Sequence, residues 1–203
     1  MSVFFLHHIE TMSRLFDEIE QYGFCVLENV YPLAYLQQLK TEYFAHFNQF
    51  KAASIQNGVI TTIRSDHILW IDESYPIANQ HLQMLQSLSE QLNQAFFFGL
   101  ENIEAHFACY EAGEFYALHR DNPQQKNERV ISTVFYLHDT WQADYGGELR
   151  LQDKYGGWHL ILPQSNQLIV FQSDLLHEVL VTQQQRLSLT AWLRQRPNSI
   201  LTI

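Results

Sequence analysis

The hydrophobic period of this chain changes once, near residue 101, and that change limits the fold more than any other feature. Before it, apolar residues recur at helical spacing; after it they alternate in short runs rich in Val, Ile, Tyr and Phe. Leu15, Ile19 and Tyr22, followed by Gly23, predict a helix over about 13–22. Phe24-Cys25-Val26-Leu27 reads as a strand. Pro32 then opens a second helix, whose stripe of Leu33, Leu36, Leu39, Tyr43, Phe44 and Phe47 predicts an end near Phe50. Leu82, Leu85, Leu88, Leu92 and Phe96 predict a third over about 80–98, closed by Gly99. Between these two, Asn57-Gly58 among β-branched neighbours predicts a hairpin or flap around Ala52 to Thr62. From about 101 onward the punctuation is Asn122-Pro123, Gly146-Gly147, Gly156-Gly157 and Asn166, the signature of many short antiparallel strands. The expectation is an α+β fold in which N-terminal helices buttress a barrel or double-sheet jelly roll. With no repeat or linker in 203 residues, the chain reads as one domain, 1–203. Helical support and flap would occupy about 1–100, and the strand core about 101–195.

Composition narrows the function classes. A chain that is 46% hydrophobic and 17% charged is neither disordered nor fibrous. Its 12 Lys and Arg against 22 Asp and Glu give a net charge of −10, which repels nucleic acid and anionic membrane surfaces. Apolar runs such as Ala95 to Leu100 are far shorter than the roughly 20 residues that span a bilayer. The N-terminus carries neither a basic segment nor a small-residue cleavage site, so it does not read as a signal peptide. Two cysteines, Cys25 and Cys109, make no disulfide framework and are expected as buried thiols in a reducing cytoplasm.

The chemistry concentrates in the second half. His119 and Asp121 stand two apart at the end of the strand Phe115-Tyr116-Ala117-Leu118, so their side chains leave one face and can converge on an ion. His177 follows the run Leu168-Ile169-Val170-Phe171 and a turn, Gln172-Ser173-Asp174, and would complete a facial triad. Two histidines and a carboxylate leave open positions, which suits non-haem Fe(II) chemistry with dioxygen. His-x-Asp by itself is a weak signal, since a solvated loop histidine and a hydrogen-bonded core histidine explain the same letters. The next strand strengthens it. Arg186, Ser188, Thr190 and Trp192 alternate with Leu187, Leu189, Ala191 and Leu193, and a tryptophan on the polar face points to a lined cavity rather than to solvent. An inward arginine needs an anion, and its planar fork matches a carboxylate, so a dicarboxylic cosubstrate is expected.

These residues resemble the 2-oxoglutarate and Fe(II)-dependent dioxygenases of the prolyl 4-hydroxylase group. The likeness rests on His119-x-Asp121, His177 and Arg186, and on further segments similar to the hypoxia-inducible-factor prolyl hydroxylases and their bacterial relatives: Ala108-Cys109-Tyr110, His119 to Pro123, Tyr136-Leu137, Trp141, Gly146 to Arg150, Ser173-Asp174, His177-Glu178-Val179, Thr190-Ala191-Trp192 and, upstream, Arg64 to Ile71. The resemblance implies a jelly-roll core, the double-stranded β-helix. It also implies Fe(II) held by His119, Asp121 and His177, and 2-oxoglutarate held through its distal carboxylate by Arg186 and Tyr136. Tyr110 and Thr190 would line the same pocket. The implied reaction hydroxylates a prolyl residue of a protein with dioxygen, releasing succinate and carbon dioxide, with ascorbate as a further reductant compatible with it. A translation elongation factor is one candidate substrate. An arginine rather than a lysine at 186 favours the cytosolic branch. Two alternatives remain open at this level, a same-fold dioxygenase acting on a small molecule or a non-prolyl residue and a catalytically idle binding or sensor domain. In the resembling hydroxylases the positions matching Asp66 and Arg129 can pair, so an Asp66–Arg129 ion pair is expected to tie the flap to the loop after Asp121.

Overall fold

The computed structural model describes residues 9–53, 63–122 and 128–196. Helix α1 covers Ile9–Gln21 and leads through β1, Phe24–Leu27, into α2, Leu33–Ala45. Strands β2, Lys51–Ala52, and β3, His67–Trp70, pair antiparallel ahead of α3, Pro76–Phe96. Eight more strands follow: β4 Leu100–Tyr110, β5 Tyr116–His119, β6 Arg129–Tyr136, β7 Leu149–Gln152, β8 Trp158–Ile161, β9 Leu168–Gln172, β10 His177–Val179 and β11 Arg186–Gln195. They form a seven-stranded sheet in the order β1-β9-β6-β11-β4-β3-β2 and a four-stranded sheet in the order β5-β10-β7-β8. All named pairings are antiparallel, which is the jelly-roll layout expected. Among the described residues no helix is long and apolar enough to cross a membrane.

The alternation along β11 divides the molecule into layers. Leu187, Leu189, Ala191 and Leu193 join Phe107 and Phe135 from neighbouring strands in one apolar cluster with Leu15, Ile19, Leu39, Leu85, Leu88 and Leu92 of the three helices. Burying each such leucine contributes roughly 1.5–3 kcal/mol, so this side carries the stability. The opposite face of the large sheet looks toward the small one. There Val134, Tyr136, Leu149, Leu151, Ile169 and Phe171 make a smaller cluster, and the functional side chains stand beside it.

Helix boundaries depart from the sequence reading for tertiary reasons. The first helix starts at Ile9, ahead of the 13 expected. The second stops at Ala45 rather than near Phe50, and a 3-10 turn at Phe47–Gln49 redirects the chain so that Lys51 can pair with Ile68. Its aromatic stripe is still used, because Phe47 and Phe50 fold back against Tyr43, with centroids 6.1 and 4.9 Å away. The third begins at Pro76 rather than 80, and its N-terminus is capped from outside. Glu42 of α2 accepts from the N–H groups of Ile77 at 2.9 Å and Ala78 at 2.7 Å. Strands β2 and β3 flank the expected hairpin or flap as an antiparallel pair, whereas its residues 54–62, and Pro123, lie outside the described residues. Cys25 and Cys109 are both buried and free.

Gly146 and Gly147 turn the chain into β7 beside the start of β11. Gly146 adopts φ 65°, ψ −146°, a region open essentially to glycine alone, and a Cβ there would stand 2.5 Å from the Val181 carbonyl oxygen. Gly146→Ala should therefore lose at least about 2 kcal/mol in urea unfolding, from backbone strain and clash together. Gly113→Ala, at φ 92° but with nothing within 4 Å, should lose only about 1 kcal/mol. Equal losses would show that the contact with Val181 does not shape this turn.

Candidate active site

Strand pairing brings the two histidines together. His119 closes β5, His177 opens β10, and the two are direct cross-strand partners, with ring centroids 4.2 Å apart. Each ring is aimed by its own backbone: His119 Nδ1–H donates to the Ala117 carbonyl at 2.7 Å and His177 Nδ1–H to the Leu175 carbonyl at 2.9 Å. A carbonyl can only accept, so in the neutral rings Nε2 keeps the lone pair and faces the cleft. Asp121, two residues beyond His119, places Oδ1 3.6 Å from His119 Nε2 and Oδ2 3.5 Å from His177 Nε2. One donor atom from each of the three residues lies within 4.8 Å of the others, a spacing that a single divalent ion can bridge.

The electrostatics suit a cation. Burial pushes His177 down to about 4, so its imidazole is neutral and able to ligate. Burial alone would raise the Asp121 carboxyl. The His177 and His119 rings and the Ser132 hydroxyl outweigh it and hold the group well below the usual carboxylate range. Ser132 donates to Asp121 Oδ2 at 2.6 Å and shares a 2.8 Å contact with Ser173 Oγ, which fixes the carboxylate from behind. Tyr116 stacks on His119 at 3.6 Å and 16°, with the Arg64 guanidinium 4.7 Å from its ring.

Arg186 enters the same cleft from the large sheet. It is 1% exposed, donates from Nε to the Gly147 carbonyl at 2.8 Å and from Nη2 to the Tyr136 hydroxyl at 3.0 Å, and lies over the rings of Tyr110 and Tyr136. No carboxylate among the described residues pairs with it. A buried, uncompensated guanidinium is costly, so the geometry is that of a receptor for an anion. Burial holds the Tyr110 and Tyr136 phenols above their ordinary range, so both remain protonated. Gly147 is close-packed here for a reason, since a Cβ would stand 3.2 Å from Arg186 Cδ. Thr190, Val134, Phe171, Leu149 and Val179 complete the walls.

All seven residues singled out in the sequence, His119, Asp121, His177, Arg186, Tyr110, Tyr136 and Thr190, converge on this cleft. Four contributors carried no assigned role there. Two-residue spacing puts Ser132 on the face of Tyr136, but its bond to Asp121 depends on the fold. Tyr116, Arg64 and His106 also line the cleft.

The expected Asp66–Arg129 pair does not form. Asp66 is fully buried and both its oxygens are taken by Arg64, from Nε at 2.6 Å and Nη2 at 2.9 Å. Arg129 instead meets Glu104 at 2.8 Å and lies 3.6 Å over the Trp192 ring. The reason is register. A bridge between Arg64 and Tyr116 draws Arg64 inward beside Asp66, while Arg129 sits across from Arg194, with Glu104 bonded to both.

Comparison with known proteins points the same way. Residues 105–194 match the 2OG-Fe(II) oxygenase superfamily. The chain is 32% identical to the Caenorhabditis elegans hypoxia-inducible factor prolyl hydroxylase over 66% of its own length, and it spans 20% of that larger protein. A Pseudomonas putida prolyl-4-hydroxylase crystal structure matches at 33% identity with a TM-score of 0.85, covering 91% of this chain and 100% of that one. The fold is also shared, with a TM-score of 0.84 at 24% identity over 92% of this chain and 90% of the other, by a Trichoplax adhaerens prolyl hydroxylase in complex with a hypoxia inducible factor oxygen degradation domain peptide fragment.

The cleft's outer support is testable with Mn(II) alone. Ser132→Ala keeps all three ligands and should weaken Mn(II) binding by roughly 10-fold, as loss of an outer hydrogen bond does, and Asp121→Ala should weaken it further. Calorimetry showing wild-type Mn(II) affinity in both variants would exclude this cleft as a metal centre.

Proposed function

We propose that this chain, which belongs to the 2OG-Fe(II) oxygenase superfamily, hydroxylates a prolyl residue of a protein substrate. One observation carries the reading: a triad of two imidazoles and a carboxylate shares a single cleft with a buried arginine that no carboxylate among the described residues pairs with. In this proposal His119 Nε2, Asp121 and His177 Nε2 hold Fe(II). Arg186 and the Tyr136 hydroxyl take the distal carboxylate of 2-oxoglutarate, and the Tyr110 and Thr190 hydroxyls line its path. Bound iron and 2-oxoglutarate supply the oxidising chemistry with dioxygen, and succinate and carbon dioxide are released.

The protein's part is positioning and exclusion of water. Arg186 is pre-set by the Gly147 carbonyl and Tyr136, so the dicarboxylate meets a fork already oriented. Ser132 and the carbonyls of Ala117 and Leu175 hold the three ligands in place. Val134, Leu149, Phe171 and Val179 leave an apolar wall around the reacting space. The donor set fits the family's metal, since two imidazoles and one carboxylate leave room for a chelating cosubstrate and for dioxygen. We take the helical support to about residue 100 and the strands to about 195 as one dioxygenase domain.

Arg186→Lys should weaken 2-oxoglutarate binding by roughly 1–3 kcal/mol, because an ammonium cannot reproduce a two-point grip on a carboxylate. Equal affinity in the two proteins would move the anion site elsewhere. The substrate class is decided in the native proteome. Deleting the gene should remove a one-oxygen mass gain from a prolyl residue, with a translation elongation factor as one candidate carrier, and adding back the protein with 2-oxoglutarate should restore it. Prolyl residues identical in the two proteomes would contradict prolyl hydroxylation.

A further inference from the structure

Part of the cleft is lined by buried polar groups that make no regular hydrogen bond among the described residues. Val134, Thr190, His106 and Trp70 are successive cross-strand partners on β6, β11, β4 and β3, so they share one face and run from the interior to Trp70, which is 49% exposed. His106 is 2% exposed; the Phe107 backbone acts on its ring, but neither ring nitrogen makes a hydrogen bond of regular geometry among the described residues. Trp192, 4% exposed, has an equally unmet Nε1–H. The imidazole stands edge-on to both tryptophans, its centroid 5.2 Å from each. His106 and Trp192 line the same cleft as the triad. Polar atoms so deeply buried are nearly always bonded, so atoms without a regular bond on residues that line a cleft point to a ligand.

Charge narrows what that ligand can be. The two arginines nearest this part of the cleft are already neutralised, Arg64 by Asp66 and Arg129 by Glu104, in contrast to Arg186. Burial, reinforced by Arg64, pushes His106 down to about 4, so its ring offers one donor and one acceptor. The Trp192 indole offers a donor only. A carboxylate would face the imidazole lone pair, and an ammonium would face two donors. An amide satisfies the set, because its carbonyl accepts and its N–H donates.

We propose that His106, with Trp192, recognises an uncharged amide of the protein substrate beside the residue being hydroxylated. The inference rests on the prolyl-hydroxylase reading above and adds a specificity-determining residue to it. His106 is placed on neither the metal nor the Arg186 anion site.

His106→Phe keeps a ring between the two tryptophans and removes both hydrogen-bonding atoms. The probe is a capped synthetic peptide centred on the prolyl residue that the wild-type protein hydroxylates in the deletion proteome. His106→Phe should raise KM for this peptide about tenfold, the worth of one hydrogen bond, while kcat stays within about twofold. His106→Gln, which retains a donor and an acceptor, should recover most of the KM. In parallel, 2-oxoglutarate is titrated into the Mn(II)-loaded proteins, and its Kd should not follow the KM. An unchanged peptide KM in His106→Phe overturns the inference, and so does a loss confined to 2-oxoglutarate affinity, which would assign the bonds to the cosubstrate. If the wild-type protein hydroxylates no prolyl residue, the parent reading fails and this one with it, a result distinct from a wild type and variant that are equally active.

Discussion

A guanidinium buried to 1% exposure, hydrogen-bonded to a phenol and a peptide carbonyl, is the constraint around which this molecule is organised. Removing such a charge from water costs several kcal/mol, and no carboxylate among the described residues offsets it. The cost is sustained because the other face of the same strand is the centre of the main core. Leu187, Leu189, Ala191 and Leu193 lock β11 against the helices, and that lock fixes Arg186 in the cleft. The helices therefore act on function indirectly, by holding the strand that carries the cation.

The metal-binding half is built on different physics. Its histidines come from two short strands that pair only at their ends, so backbone carbonyls orient both rings. Asp121 lies past the end of β5 and relies on Ser132 from the large sheet. That hydrogen bond joins the two sheets at the site itself. The cleft thus holds an unneutralised positive charge at Arg186 and a negative one at Asp121, a combination that suits a metal chelated by a dicarboxylate.

Much of this was legible in the sequence because it depends on period. Alternation along β11 separates Arg186, Ser188, Thr190 and Trp192 from the leucines, and two-residue spacing puts Ser132, Val134 and Tyr136 on one face, as the structure has them. Partner choice was less legible. Asp66 has two arginines to choose between in sequence terms, and only the register of β3 and the Arg64–Tyr116 bridge decide for Arg64. The end of α2 departs from its apolar stripe for a similar reason, since the stripe continues through Phe50 while strand pairing requires the chain to turn earlier. The Glu42 cap on α3 and the unmet nitrogens of His106 are long-range facts with no local sequence signal.

The account's central claim is that one cleft takes a metal and a dicarboxylate at the same time, at two fixed ends. Crystals grown without oxygen in Fe(II) and 2-oxoglutarate, with anomalous scattering measured at the iron edge, test it most directly. The account predicts one iron peak bonded to His119 Nε2, Asp121 and His177 Nε2, and a carboxylate lying in the fork of Arg186 against the Tyr136 hydroxyl. Iron bound elsewhere, or an Arg186 fork with no carboxylate in a crystal saturated with 2-oxoglutarate, would contradict it.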